Sequence, residues 1–389
     1  MSETLRVALL LDPLSFSLDG RGLHVKWAGH APELAREFLG RGCHVRGFGA
    51  PPGMIPRSSA DEGHEDPRAP GNKLVAFAPD VIVAYDALSP AAFRGARAAR
   101  SVGATLVLVE GGWKGSLGWK ERTLRSVGEA LWGAYVRRTA AAVVALDPLA
   151  EEQALKDGFA RELVRVVPYG VDVQEYRPGL ASTLVARKKV RGRILLYVGK
   201  LAQERGVVPL LAAFARTVGQ RSDWNLVFAG TGPLKAELRA MADRLGVSDR
   251  VYWLEPRDEE LPGLLGASTA LAIPALGHEV VGRHAARALA CGLPILAADL
   301  PRLRVFVEPE QNGLLVREGS VEAWAEAIQR TASSPMTRTR WARRSRELAI
   351  ERHSWPAVAA RFEELFAEAR KRVEQKLAER ARGEALAGR

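Results

Sequence analysis

Four features of this chain carry residue types that could do chemistry, three of them suited to gripping an anion. Lys200 and Arg205 follow the apolar run Ile194–Val198. If that run is a strand, both cations can project from its end and meet an anionic ligand; two exposed loop cations are the plain alternative. Gly230-Thr231-Gly232 follows a second apolar run, Asn225–Ala229, and precedes a helical stretch from about Leu234 to Leu245. Glycines there let backbone approach a ligand, and a helix N-terminus favours negative charge, although a tight turn explains the same residues. The segment Glu279-Val-Val-Gly-Arg-His-Ala-Ala-Arg287 places Glu279 just before a helix that Gly282 starts, with Arg283 and His284 in its first turn. The helix dipole disfavours cations there by ~0.3–1 kcal/mol each unless an anion is bound. Fourth, Glu110 ends the run Thr105–Val109. It is placed to act as a general acid or to hold a hydroxyl, or to be an ordinary strand-end carboxylate.

Other chemistries lack their residues. No Asp-x-Asp pair falls at a strand end and no His or Cys cluster has ligand spacing, so the sequence indicates neither a catalytic metal nor a resident cofactor. The two cysteines, Cys43 and Cys291, form no CxxC pair, which argues against a disulfide scaffold or a zinc site. Trp113, Trp119 and Trp132 crowd one stretch of the first half. They suit stacking on sugar rings, contact with lipid headgroups, or simply covering a sheet.

The elements that must position these residues alternate along the chain. Apolar runs at Arg6–Leu11, Cys43–Phe48, Val81–Ala84, Thr105–Val109, Ala142–Ala145 and Arg165–Val167 read as buried parallel strands. Helical patterns separate them, including one from His24 to Gly40 with Trp27, Leu34 and Phe38 on one face. The pattern restarts at Ile194–Val198, Asn225–Ala229, Val251–Leu254, Ala270–Ile273 and Pro294–Ala297. Two open α/β sheets follow, whose ligands collect at the carboxyl ends of the strands. The predicted organisation is a first Rossmann-like domain over 1–175, a linker over 176–193, a second domain over 194–352, a C-terminal helix over 353–375 and an exposed or disordered tail over 376–389. The segment from Ala50 to Asn72, rich in Pro, Gly, Ser and acids, reads as a long surface loop.

Bulk composition narrows the class. With 389 residues and 47% apolar content, the chain can bury two cores. No apolar run reaches the ~18–20 residues that span a bilayer, and the first residues read as a strand without a cleavage-site pattern, so a cytoplasmic location is expected. The net charge of +11 lies mostly beyond residue 180, in Arg187-Lys-Lys-Val-Arg-Gly-Arg193 and in the run from Arg338 to Arg346. Such runs are solvated faces or contacts with an anionic membrane surface; with no nucleic-acid motif beside them, specific nucleic-acid recognition is not expected.

Several stretches fall in an order that resembles family 4 of the retaining glycosyltransferases: Pro168-Tyr-Gly-Val-Asp172, Tyr197-Val-Gly199-Lys200, Glu204-Arg205-Gly206, Phe228-Ala-Gly230-Thr231-Gly232-Pro233, the Glu279 segment, and Asn312-Gly-Leu-Leu-Val316. The resemblance implies the GT-B fold, two Rossmann-like domains facing a cleft, with the C-terminal helix returning to the first domain. It implies metal-independent sugar transfer with retained configuration, from a nucleotide sugar to a carbohydrate, lipid-linked or small-molecule hydroxyl. Gly199, Lys200, Arg205, Gly230, Thr231, Gly232, Glu279, Val281, Gly282 and position 287 would then hold the donor. Glu279, Lys200, Arg205 and Glu110 would carry the chemistry, and Gly20, Gly22, Glu110 and Trp113 would face the acceptor.

The chain also departs from that pattern. Arg287 stands where the family has a glutamate that accepts hydrogen bonds from the nucleotide ribose, and an arginine has no acceptor. It can instead pair with Glu279 or bind a phosphate-bearing donor or acceptor. Tyr169 replaces an asparagine, Ala275 a serine and Val281 a phenylalanine, while Lys200 and Arg205 look exchanged. A second reading therefore stands beside the enzyme: a catalytically impaired relative that binds sugars or partners as a scaffold.

Overall fold

The computed structural model describes residues 4–11, 16–19, 22–25, 30–49, 54–56, 70–111, 123, 126–217, 223–277 and 282–387. The chain divides into two compact units, one of residues 1–168 with 355–389 and one of residues 169–354.

The first unit is built on six parallel strands in the order β4-β1-β5-β6-β7-β8: β1 (Arg6–Leu10), β4 (His44–Phe48), β5 (Val81–Tyr85), β6 (Thr105–Glu110), β7 (Ala140–Ala145) and β8 (Val164–Val166). The central strands β5, β6 and β7 are buried throughout, as expected for apolar runs covered by helices on both faces. The helix Pro90–Val102 is set by local chemistry. Ser89 Oγ accepts from the Ala92 N–H at 3.1 Å, Pro90 opens the first turn, and Gly103 at φ +74° closes it.

The expected helix from His24 to Gly40 is corrected by the structure. An antiparallel hairpin of β2 (Phe16–Asp19) and β3 (Gly22–Val25) comes first, pairing Phe16 with Val25 and Asp19 with Gly22. The helix spans Ala31–Gly40, with a proline in its opening turn. Proline preorganises a helix start, and the ladder claims the backbone of residues 22–25.

The last helix, Trp355–Ala387, belongs to this first unit. Phe362 and Phe366 pack on Phe38 with ring centroids 6.4 and 5.5 Å apart, and all three side chains are fully buried. Each such ring contributes roughly 1.5–3 kcal/mol by burial. Arg41 adds an ion pair to Glu363 at 2.9 Å. The helix continues well into the stretch expected as a tail.

The second unit has six parallel strands in the order β11-β10-β9-β12-β13-β14: β9 (Arg193–Val198), β10 (Trp224–Ala229), β11 (Val251–Leu254), β12 (Ala270–Ile273), β13 (Ile295–Ala298) and β14 (Gly313–Val316). In order of appearance this is 3-2-1-4-5-6, so the direction of winding reverses between β9 and β12. Open sheets of this kind bind ligands in the crevice at the carboxyl ends of that pair. The edge strand β14 lies within the motif Asn312-Gly-Leu-Leu-Val316 and adds to the five strands expected for this sheet. Its Gly313 is required by close approach, since a Cβ there would stand 1.9 Å from the Ile295 carbonyl oxygen. Asn312, fully buried, donates to the Phe306 carbonyl at 2.9 Å and accepts from the Glu308 N–H at 2.7 Å.

The segment 176–193, expected as a linker, lies within the second unit. Tyr176, Leu184 and Val190 are buried in its core, and the short helix Thr183–Arg187 is capped by Ser182, whose Oγ accepts from the Val185 N–H at 3.2 Å.

Candidate functional site

The loops leaving β9, β10 and β12 are zipped together by backbone contacts that only glycine permits. Gly199 and Gly230 take φ of +150° and +151° at the ends of β9 and β10. A Cβ on Gly230 would stand 2.0 Å from the Gly199 carbonyl oxygen, and one on Gly232 would stand 2.3 Å from that of Leu201. The Leu201 N–H donates to the Thr231 carbonyl at 2.9 Å, and the Leu234 N–H to the Leu201 carbonyl at 3.0 Å. Thr231 and Gly232 thus hold the β9 loop, ahead of the helix Lys235–Arg244.

Arg205 ends a short 3-10 turn, Gln203–Arg205, closed by Gly206 at φ +65°. That turn is pressed on the exit of β12: a Cβ on Gly206 would meet the Pro274 carbonyl oxygen at 1.8 Å, and the Leu276 N–H donates to the Glu204 carbonyl at 2.9 Å. As a result the half-buried Arg205 joins His284, Pro274 and Ala275 around a cavity of about 10 Å³ at the β9–β12 switch point. That volume suits roughly one water. Lys200 is not brought there by its ion pairing; its side chain is 59% exposed, with Nζ 3.8 Å from Glu204.

His284 lies in the first turn of the helix Gly282–Ala290. A Cβ on Gly282 would stand 3.2 Å from the Phe306 ring, and Phe306 is in turn stacked on His353 at 4.8 Å. The helix start is therefore seated on a buried aromatic shelf. His284 Nδ1 is buried without a hydrogen-bond partner among the described residues. Burial is the first cause that holds its pKa down to about 3, and the charges of Arg287, Arg283 and Arg205 add to it. A neutral imidazole thus sits among three guanidinium groups whose field favours an anion.

Two of those arginines rest on tyrosines that no local pattern foretold. The Arg283 guanidinium carbon is 5.9 Å from the Tyr169 ring centroid, and that of Arg287 is 5.0 Å from the Tyr176 ring centroid. The Tyr176 backbone is fixed by Arg346, whose guanidinium donates to the carbonyls of Tyr176, Val173 and Ala290 at 3.0, 3.0 and 2.6 Å. In the sequence Tyr169 stands out only as a departure from the family's asparagine, and Tyr176 carries no signal. Arg283 is exposed, whereas Nδ1 of His284 is buried.

In the first unit, Glu110 ends β6 with 1% exposure. The winding of that sheet reverses between β1 and β5. At the end of β5, Tyr85 Oη lies 3.1 Å from Nδ1 of the buried His30, and burial lowers the His30 pKa to about 3. Gly22 opens β3. Glu279, Val281, Gly20 and Trp113 lie outside the described residues. Among the described residues no group of three or more His, Cys, Asp or Glu side chains is placed to hold a metal ion, and no helix is long and apolar enough to cross a membrane.

Comparison with known proteins adds independent findings. Residues 185–348 match the family described as glycosyl transferases group 1, and residues 14–170 match the glycosyl transferase 4-like domain. The D-inositol 3-phosphate glycosyltransferase of Corynebacterium glutamicum is 32% identical over 218 residues, 53% of this chain and 52% of that protein. The protein of the same name from Saccharomonospora viridis is 32% identical over 223 residues, 54% and 51% of the two chains. The chain thus spans about half the length of the curated relatives it matches. Among solved structures, HepE of Anabaena in complex with UDP and glucose superposes with a TM-score of 0.68 at 20% identity, over 93% of this chain and 99% of that one. Sucrose-phosphate synthase of Thermosynechococcus elongatus does so at 0.62 and 21%, over 94% and 98%. At these identities the likeness is one of fold, the GT-B fold.

Proposed function

The chain belongs to the group 1 glycosyltransferases, and on that premise we propose that it moves a sugar from a nucleotide-sugar donor to a carbohydrate, lipid-linked or small-molecule hydroxyl, with retention and without a metal. The observation that carries this reading is the convergence of Arg205 and His284 at the β9–β12 switch point, at the start of the helix Gly282–Ala290 and within the field of Arg283 and Arg287. A nucleoside diphosphate leaving group develops negative charge as the glycosidic bond breaks, and preorganised cations in a crevice stabilise that charge without reorganising. In this reading Arg205 meets the diphosphate directly. Lys200, more exposed, contributes a screened charge, and Glu279 holds hydroxyls of the transferred sugar. Glu110 serves the acceptor side from the first unit. A cytoplasmic setting with peripheral contact at an anionic membrane accompanies this reading.

The relatives suggest first substrates to try. Two carry the name D-inositol 3-phosphate glycosyltransferase, so a phosphorylated polyol is the first acceptor class; one structural neighbour holds UDP and glucose, so UDP-glucose is the first donor. The test is calorimetric titration of the intact protein with UDP-, GDP- and ADP-linked sugars, followed by product analysis with a phosphorylated polyol. Binding of one nucleotide sugar in the micromolar to millimolar range and transfer of its sugar are expected. Silence across all three at millimolar ligand overturns the reading.

One observation favours the scaffold reading. Arg287 is engaged on the Tyr176 ring and has no acceptor for a ribose hydroxyl. Binding of a nucleotide sugar with neither transfer to any acceptor nor hydrolysis would establish that alternative.

A further inference from the structure

We propose that the first unit carries a second anion site, at the amino-terminal edge of its sheet, that takes a phosphate ester with an apolar body. A groove of about 500 Å³ opens there between the starts of β6 and β7 and the outer part of the helix Trp355–Ala387. This volume is in the range of small-molecule sites. Glu110 and the crevice at the carboxyl ends lie at the other end of β6, roughly 20 Å away along a six-residue strand. The groove is therefore separate from Glu110 and the crevice at the carboxyl ends of that sheet.

The lining has an amphiphilic chemistry. Ala104, Ala140 and Val373 form apolar wall, and Leu377 on the rim is 54% exposed. Arg100, Arg138, Arg372 and Lys376 line the same groove, and no acid does. Among the described residues Arg372 pairs with Glu368 at 3.3 Å, whereas Arg100, Arg138 and Lys376 pair with no carboxylate. Arg100 lies instead over the Tyr135 ring at 5.3 Å. A neighbouring groove of about 440 Å³ shares Arg138 and Lys376, so these two cations stand on the ridge between them.

A contrast in the second unit shows that this imbalance is not a general property of basic surface here. The groove beside Arg340, Arg343 and Arg344 is larger, about 710 Å³. Two of its three cations are answered by acids, Arg343 by Glu347, and Arg344 by Glu308, Glu347 and Glu351, while Arg340 reaches only the Glu310 carbonyl at 3.5 Å. Three of the four cations of the first-unit groove have no carboxylate partner among the described residues, although Glu162 lines the neighbouring groove; such an excess raises the local concentration of anions and favours a ligand that neutralises it. Arginine forks match phosphate oxygens in pairs, and the apolar wall covers a hydrocarbon or ring. Phosphate on an apolar body is shared by soluble phosphomonoesters and phospholipid headgroups.

The test uses the full chain and two probes, phenyl phosphate in solution and vesicles of phosphatidylglycerol in phosphatidylcholine. Arg138→Glu/Lys376→Glu is compared with wild type, with Lys188→Glu/Arg191→Glu as an equal reversal on the second unit, and with Arg205→Ala. All replaced side chains of the two reversals are exposed, and unchanged melting temperatures verify folding. The expected result is that Arg138→Glu/Lys376→Glu weakens phenyl phosphate binding about tenfold or more, or abolishes vesicle cosedimentation, while the other variants retain it. Loss of phenyl phosphate alone assigns a soluble ligand, and loss of vesicle binding assigns a lipid headgroup. The proposal is overturned if wild type binds neither probe at millimolar ligand, if the double variant binds both as wild type does, or if only Arg205→Ala loses binding. None of these outcomes depends on a nucleotide sugar, so this site and the proposed function stand or fall separately.

Discussion

The Arg287 guanidinium carbon lies 5.0 Å from the centre of the Tyr176 ring, which joins the helix beside the switch point to a segment more than a hundred residues earlier in the chain. Burial of that tyrosine pushes its hydroxyl up to about 12, with Arg287 pulling the other way. The residue that departs most from the family pattern is thus held by a partner of its own.

Tyr176→Phe keeps the ring and should leave stability within about 1 kcal/mol of wild type. Tyr176→Leu loses the cation–π contact and should cost about 0.5–2 kcal/mol beyond any packing change. Urea unfolding of both variants in the Arg287 and Arg287→Gln backgrounds measures the coupling. A cycle that closes to zero would show that the stacked geometry contributes nothing.

Arg205→Ala should weaken the affinity for whichever of UDP, GDP and ADP binds by roughly 10- to 100-fold, the scale of a charge-assisted hydrogen bond. Lys200→Ala should change it by about threefold or less, because Lys200 is exposed and faces Glu204. Calorimetry decides; the reverse order would place the diphosphate at Lys200.

Both His30 and His284 have pKa values held near 3 in the folded chain, against 6.5 for a free imidazole. The unfolded chain binds the extra protons between those limits, so stability is fully present above pH 6.5 and falls as pH drops toward about 3. The slope is on the order of 1.4 kcal/mol per pH unit for each group. Denaturant midpoints from pH 7.5 to 4.5 should follow it, and His30→Phe should remove one proton's share. Arg287→Glu should raise the His284 titration seen by NMR, since it replaces a repelling charge with an attracting one; an unmoved titration would separate the two residues.

Gly206→Ala should destabilise by at least about 3 kcal/mol, because left-handed strain adds to a collision with the Pro274 carbonyl. Gly103→Ala carries the same strain, but its Cβ would meet nothing within 4 Å, so about 1–2 kcal/mol is expected. Equal costs in urea would mean that the β9 and β12 loops are not locked by that contact.

The sheets were legible because a strand buried on both faces must be an apolar run. Val81–Ala84, Asn225–Ala229 and Ala270–Ile273 all stand close to where their side chains predicted. The helix start was misread because Trp27, Leu34 and Phe38 have helical spacing, and nothing in that spacing reveals the β2–β3 ladder that precedes Ala31. Within the site, Arg205 and the glycine turns were legible from their place after strands. The seating of His284 was not, since it depends on Phe306 and His353, and contact between distant segments leaves no period in a sequence. Tyr169 and Tyr176 were hidden for the same reason.

The core contributed by Phe362 and Phe366 has a consequence for how the protein is made. The first unit is encoded at both ends of the chain, with residues 169–354 between them. At ribosomal speeds of ~5–20 residues per second, its strands emerge on the order of ten to forty seconds before the helix that covers Phe38. During that interval the second unit can finish folding while the first waits with an open apolar face. A nascent chain of this design exposes that face to chaperones on every round of translation, and a stop codon after Ser354 would leave the first unit permanently in that waiting state.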